Sequence, residues 1–429
     1  MEYVFPISLL LGFLLVVGMP IGFAMGVAGT VGLYLLGGPD IMLGILAVGP
    51  YRNTASWLLT AIPLFIFMAE ILTASRISSD MFRAANKWVG HLPGGLAVAT
   101  VFTSAGFGAV SGSSTAATAT MARTVAPEAE KYGYDKGMIV GTVAAAGTLS
   151  IMIPPSVVLM VYGIITETSI GGLFIAGIIP GLLTAISFAA ITMIWAKLDT
   201  NSAPPIEHHS WKERFASLRD LWPIIALFVF VISGIYSGAV TVTEAAAIGC
   251  FGAVFISMVV LRRLSFKDFL SALERTTRPT AMIFTIIIGA HVFGYFITLT
   301  MAPQALVAFV QELDVSAGTI ILILIIVYVL LGCVMDQLAI LILTMPIVFP
   351  MVMELGYSPI WFGILITKTV EIGLITPPIG MNVFVASAIT RVPLRRGFAG
   401  VLPFVLMEFI VLALIAYFPD VVTWLSGRY

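Results

Sequence analysis

Ten apolar stretches, cut apart by charged or Gly/Pro-rich breaks, leave this chain few folds to choose from. They fall near 4–18, 20–36, 54–75, 137–166, 171–197, 222–237, 240–261, 280–300, 359–390 and 398–424. Roughly 20 apolar residues in a helix span the hydrocarbon of a bilayer, so each stretch is material for one crossing. The composition agrees: 59% of the 429 residues are hydrophobic and 10% are charged, whereas an ordinary soluble protein is about a quarter charged. A net charge of −1 provides no basic surface for nucleic acid. Cys250 and Cys333 both lie in apolar stretches and make neither a disulfide framework nor a CxxC metal pattern. The start, Met1-Glu2-Tyr3, lacks the basic n-region of a signal peptide, so the first apolar run is expected to stay in the mature chain. The fold class is therefore an all-α polytopic membrane protein.

Two further apolar stretches, 94–126 and 317–350, are interrupted midway by polar residues and are expected to form re-entrant hairpins. An outside N-terminus places eighteen of the 21 basic residues, from Arg76 to Arg396, in inner loops. Only Arg52 and Arg428 then fall outside, and Lys368 sits within a crossing. Flipping the chain or dropping one crossing scatters these charges over both faces, so ten spans with both termini outside is the expected arrangement.

The longest polar stretch, Asp199 to Asp220, carries Pro204, Pro205, His208 and His209 and lies almost at mid-chain. Sliding the chain on itself by 223 positions puts Gly95 on Gly318, Pro127 on Pro350, Gly133–Tyr134 on Gly356–Tyr357 and Pro154–Pro155 on Pro377–Pro378. The expected organisation is a first repeat over 1–200, a cytoplasmic linker over 201–220 and a second repeat over 221–429. One half starts outside and the other inside, an inverted repeat, which is the usual build of a secondary transporter. Segment 77–91, with Arg83 and Lys87, is expected along the inner face. Its counterpart 300–314, with Glu312 and Asp314, is expected along the outer face.

The polar residues left inside apolar stretches are the candidates for chemistry. The first hairpin turns at Ser111–Ser114, within a run of small residues from Gly106 to Thr120. Irregular backbone at membrane depth is tolerated only where protein buries it or where it lines a cavity. Small residues can instead serve close helix packing, as Gly18, Gly22 and Gly26 do on that reading. The second hairpin carries a lone carboxylate, Asp336, expected to cap the returning helix and to shape a cation site. The stretches 137–166 and 359–390 each contain a Pro-Pro pair and are expected to be broken helices. Two prolines remove two amide donors and leave earlier carbonyls unpartnered. Those carbonyls, with the Ser150 or Thr376 hydroxyl, are hard oxygen ligands suited to Na⁺. The following half-helix offers its positive end to an anion.

Other polar groups have simpler expected roles. Glu244 closes a capping box with Thr241. Lys368 and Glu371 are spaced to neutralise each other. Glu70 is expected to snorkel towards Arg76. His291 is expected to be packed, His208 and His209 to be solvated. Arg123 is placed at the inner edge, leaving no intramembrane arginine for a substrate.

At Gly112-Ser-Ser-Thr115, Gly133-Tyr-Asp-Lys-Gly137, Ile153-Pro-Pro-Ser156, Thr243-Glu-Ala-Ala246 and the run from Glu371 to Asn382, the chain resembles the large membrane subunit of tripartite ATP-independent periplasmic (TRAP) transporters. The resemblance covers nearly the whole length. It implies an elevator carrier of the bacterial inner membrane, with periplasmic termini and Na⁺ as coupling ion but no other cofactor. One Na⁺ site would use Ser111, Gly112, Ser113, Ser114, Gly147, Ser150 and Ile153. The other would use Gly332, Asp336, Gly373, Thr376 and Ile379. The substrate, an organic acid, would sit near Ser113, Ser114, Thr115, Pro155, Ser156, Pro378 and Asn382. A periplasmic binding protein would deliver it, and a small four-helix membrane subunit, expected as a separate chain, would flank this one. A stand-alone Na⁺/anion symporter of the divalent-anion type is the alternative. An intramembrane enzyme fits poorly: Ser111 lies one residue out of a Gly-x-Ser-x-Gly frame, and the P-loop pattern GxxxxGK[ST] does not occur.

Overall fold

The computed structural model describes residues 2–204, 208–312 and 315–426, and every regular element among them is helical. The first half runs α1 (Val4–Val16), α2 (Ile21–Thr54), α3 (Ala61–Ala74), α4 (Ile77–Val89), α5 (Gly95–Ser111), α6 (Ser114–Lys131), α7 (Lys136–Met152), α8 (Val157–Ile165) and α9 (Ile170–Leu198). After α10 (Trp211–Leu218) come α11 (Trp222–Tyr236), α12 (Val242–Phe255), α13 (Phe266–Leu299), α14 (Ala302–Glu312), α15 (Ala317–Gly332), α16 (Gln337–Glu354), α17 (Pro359–Ile375), α18 (Met381–Thr390), α19 (Leu394–Tyr417) and α20 (Asp420–Ser426). The order from α4 to α9 recurs from α14 to α19. Thus α6 and α16 begin at Ser114 and Gln337, and α7 and α17 at Lys136 and Pro359, each pair 223 positions apart. Pro205, Asp314 and Arg428 lie outside the described residues.

Local chemistry explains where these helices start and stop. Asp135 accepts from the Met138 amide at 2.8 Å to open α7, and Thr241 with Glu244 forms the expected capping box on α12. α7 and α17 end where Pro154–Pro155 and Pro377–Pro378, both cis, interrupt the chain.

Several expected boundaries shift. The second crossing loses its helical backbone at Gly37 and Gly38, where the expected stretch ends, and a further helical segment not expected from the sequence follows the kink to Thr54. α13 starts at Phe266, well before the expected 280. Among the described residues, seven helices are long and apolar enough to cross a bilayer, or nine if the bent pairs α7–α8 and α10–α11 each count once. Eight of the expected ten are among these nine, the ninth being α16, expected as half of a hairpin; the other two fail on length. α1 has 13 residues, about 20 Å at 1.5 Å each. The 359–390 stretch is split into α17 and α18, and each half alone is short.

At the centre lie α7, buried from Gly137 to Met152, and α17, buried from Trp361 to Ile375. Small residues allow this: a Cβ on Gly141 would lie 2.1 Å from the Gly400 carbonyl oxygen of α19. On one flank α2 lies along α13. There Gly22 and Gly289 bring the two backbones together, because a Cβ on Gly289 would stand 2.0 Å from the Gly22 carbonyl oxygen. Gly18 and Gly26, grouped with Gly22 in the sequence reading, make no such close approach.

Much of the described part of the linker is helical. α10 opens with a Ser210–Glu213 capping box and docks on α4, where the Trp88 indole donates to the Arg214 carbonyl at 3.0 Å. His208 is exposed, as expected, with its ring tilted against His91 at 5.1 Å between centroids. α4 is further fastened by Asp80, a buried carboxylate that accepts from both Arg83 and Arg263.

Candidate functional site

Two helix–turn–helix tips meet two broken helices. In the first tip α5 ends at Ser111, Gly112 takes a left-handed conformation at φ +58°, and extended Ser113 leads into α6. A Cβ on Gly112 would meet the Val157 amide nitrogen at 3.2 Å and the Pro155 carbonyl oxygen at 3.3 Å, so the tip rests on the α7–α8 break. Behind it, a Cβ on Gly147 would lie 3.2 Å from the Ser114 carbonyl oxygen and 1.9 Å from the Thr118 hydroxyl. Ser150 donates to the Gly147 carbonyl at 2.8 Å, and Gly108 faces Ser150 in turn. Ile153 is extended where the chain leaves α7, and Ser156 accepts from the Leu159 amide to open α8. The seven residues expected at one Na⁺ site thus converge around a single turn and break.

The second tip repeats the arrangement. Gly332 ends α15 against Gly373 of α17, and the Ile379 amide donates to the Cys333 carbonyl at 3.3 Å. Thr376 is extended, donates to the Ile372 carbonyl at 2.6 Å, and precedes Gly380, which opens α18 at φ +53°. Asp336 caps α16, accepting from the Leu338 amide at 3.0 Å, as its sequence setting suggests. Pro378 and Ile379 are exposed in this break.

Both tips open into one cavity of about 590 Å³. Ser111, Gly112, Ser113 and Thr115 line it from the first tip; Asp336, Gln337 and Leu338 line it from the second. Pro155, Ser156, Pro378 and Asn382 are not in its wall. Asn382 is fully buried behind it, donating its side-chain amide to the Ser114 hydroxyl at 2.6 Å and the Ala144 carbonyl at 3.0 Å. A second cavity, about 600 Å³ between α4, α5 and α11, is walled almost wholly by apolar side chains and lacks the converging polar groups of a recognition site.

Arg123, expected at the inner edge, and Arg275 both face the cavity between the tips. Arg275 is there because α13 begins early, which brings that arginine to α3, where its Nε donates to Glu70 at 2.7 Å. Glu70 therefore pairs with Arg275 and not with Arg76. His291 is half-buried beside a cavity of about 300 Å³ with Asn53 and Tyr295, not packed solid. The Lys368–Glu371 pair also has a third member, Glu408. Two more groups escaped the sequence reading. Thr118 carries a buried hydroxyl without a hydrogen-bond partner beside Gly147, and Gln337 a similar side-chain oxygen at the second tip. Thr118 lies one helical turn beyond Ser114, and Gln337 lies 223 positions from Ser114; those spacings were the available signals.

The family described as tripartite ATP-independent periplasmic transporter, DctM component, matches residues 8–421. The chain is 37% identical over 399 residues to the C4-dicarboxylate TRAP transporter large permease protein DctM of Pseudomonas aeruginosa, across 93% of this chain and 92% of that one. It is 33% identical over 414 residues to the ectoine TRAP transporter large permease protein TeaC of Halomonas elongata, across 96% of each. Its fold resembles that of the YdaH transporter of Alcanivorax borkumensis, with a TM-score of 0.68 at 14% identity, across 93% of this chain and 97% of that one.

Proposed function

The chain belongs to the DctM component family of TRAP transporters, and from that premise we propose that it imports an organic acid across the inner membrane, driven by Na⁺. It is a multi-pass inner-membrane protein. The observation that carries the proposal is the single cavity into which both tips open. Each tip is backed by a helix break whose carbonyls lack helical partners, and such carbonyls suit Na⁺.

One Na⁺ is held at the Ser111–Ser114 turn with Gly147, Ser150 and Ile153, the other at Gly332 with Gly373, Thr376 and Ile379. Asp336 shapes the second site from its capping position. The substrate lies against Ser113 and Thr115, with Arg123 supplying positive charge to a carboxylate beside the two bound cations. Pro155, Ser156, Pro378 and Asn382 support that surface from behind, Asn382 through Ser114. Residues 1–200 and 221–429 act as inverted repeats joined through 201–220, with both termini periplasmic. Their tips and broken helices move together, as an elevator, against the flank that contains α2 and α13. A periplasmic binding protein delivers the substrate, and a small four-helix membrane subunit flanks the chain.

The test is uptake by the complex in liposomes with an inward Na⁺ gradient. Ser113→Ala and Thr376→Ala should each lower Na⁺-driven uptake by about tenfold, the equivalent of 1.4 kcal/mol. Unchanged uptake in both would overturn the assignment. Full uptake without the binding protein would instead make the chain a stand-alone Na⁺/anion symporter.

A further inference from the structure

Three charged side chains lie in the centre of the protein, away from the cavity. Lys368 and Glu371 of α17 and Glu408 of α19 are all fully buried. Lys368 Nζ donates to Glu371 Oε2 and to the Thr184 hydroxyl of α9, both at 2.8 Å, and contacts Glu408. The Glu408 carboxylate also lies 3.4 Å from the Thr148 hydroxyl of α7, whose shorter hydrogen bond, 2.7 Å, goes to the Ala145 carbonyl. Two carboxylates against one ammonium, with Glu371 Oε1 unpartnered, are a poor device for stability, since apolar packing serves a core equally well.

The position of the cluster is informative. Thr148 and Glu371 are separated by the same 223 positions that separate the starts of α7 and α17. Thr184 and Glu408 are 224 apart, as are the starts of α9 and α19 at Ile170 and Leu394. The cluster therefore joins two pairs of equivalent positions and crosses from one half of the chain to the other. Lys368 bridges them where the first half has Ala145. At one end Thr148 sits between Gly147 and Ser150 of the first cation site. At the other Glu371 is two residues before Gly373 of the second.

We infer that the Lys368–Glu371–Glu408 cluster, with Thr148 and Thr184, is a positioning network that couples the two cation sites, so that filling one raises the affinity of the other. The inference rests on the Na⁺ reading above. A cation that tightens the α7 break shifts Thr148; Thr148 faces Glu408; Glu408 and Glu371 share Lys368, which sets the register of α17 ahead of its own break. Coupling of this kind is reciprocal, so either site fills more readily once the other is occupied.

The experiment is a Na⁺ titration of uptake by the reconstituted complex, comparing the unaltered protein with Thr148→Val, Thr184→Val and Glu408→Gln. The unaltered protein should show a Hill coefficient of about two. Thr148→Val, a near-isosteric change that folds even if Glu408→Gln does not, should lower it towards one and raise half-saturating Na⁺ several-fold. Maximal uptake at saturating Na⁺ should be retained. Phe404→Leu, a packing change on α19 one turn from Glu408, should leave the Hill coefficient alone. Unchanged cooperativity in both threonine variants, or an equal loss in Phe404→Leu, overturns the coupling while leaving the Na⁺ sites standing. Uptake that ignores Na⁺ in the unaltered protein overturns the sites themselves, and the coupling with them.

Discussion

Gly332 and Gly373 touch backbone to backbone: a Cβ on Gly373 would lie 2.4 Å from both the Cα and the carbonyl carbon of Gly332. The second tip is thereby seated on α17 one turn before its break, with no side chain between them. Gly373→Ala should cost about 1–3 kcal/mol of stability through overpacking and weaken Na⁺-driven uptake. Gly294→Ala, where nothing lies within 4 Å, should do neither. Thermal melts and uptake on the two variants side by side check this.

Asn382 holds the first tip from the opposite half of the chain. Removing its amide in Asn382→Ala takes a donor from the Ser114 hydroxyl and another from the Ala144 carbonyl. At about 1 kcal/mol net per hydrogen bond, the loss should be about 2 kcal/mol. Substrate uptake should fall further than the melting temperature suggests, because Ser114 is no longer fixed. A melt and an uptake curve at matched expression decide it.

Arg123 faces the cavity and is exposed, so Arg123→Gln should leave stability nearly unchanged. A charge-assisted hydrogen bond to a substrate carboxylate is worth about 1.5–3 kcal/mol, so the half-saturating substrate concentration should rise tenfold or more. Arg275→Gln breaks a half-exposed pair with Glu70, and its effect on stability should stay under about 1 kcal/mol. Substrate titrations with binding protein in excess separate the two.

Asp80 fastens α4 to the chain ahead of α13 through Arg263. Both of its arginine partners are well exposed, which discounts the pairing, so Asp80→Asn should cost about 1 kcal/mol. The variant should also open α4 to protease at Arg83. Limited trypsin digestion reads this directly.

His91 lies in the turn after α4, outside the spans. Partial burial, the Arg214 guanidinium and His208 hold its imidazole below the ordinary value of 6.5. The unfolded chain therefore binds that proton more readily than the folded one, and stability rises with pH across the interval between the two values. The His91 contribution should be complete above pH 6.5 and decline as pH falls below it. Arg214→Gln should lessen the decline, measured as the difference in melting temperature between neutral and mildly acidic buffer.

What was legible in the sequence was what spacing encodes. The 223-position shift, both tips, both Pro-Pro breaks and the caps at Thr241 and Asp336 all depend on neighbours within a few residues or on repetition. The partners of Glu70 and Lys368 depend instead on how helices rotate and how far they extend. Arg275 reached Glu70 only because α13 starts at Phe266. Glu408 is a lone carboxylate in an apolar helix, the same signal that drew attention to Asp336, yet its partner lies on another helix. Gly37-Gly-Pro39 does break the helix, as its composition suggests, but the helical segment that follows it to Thr54 was not legible there.

The glycine seam between α2 and α13 has a mechanical consequence. α13 is continuous over 34 residues, about 51 Å at 1.5 Å per residue, whereas α2 loses its helical backbone at Gly37 and Gly38. The close contacts, at Gly22, Gly29 and Gly32, all fall ahead of that break, so the first part of α2 must lean with α13 while the part beyond the break need not. A change in bilayer thickness then acts on the joined stretch as on one body.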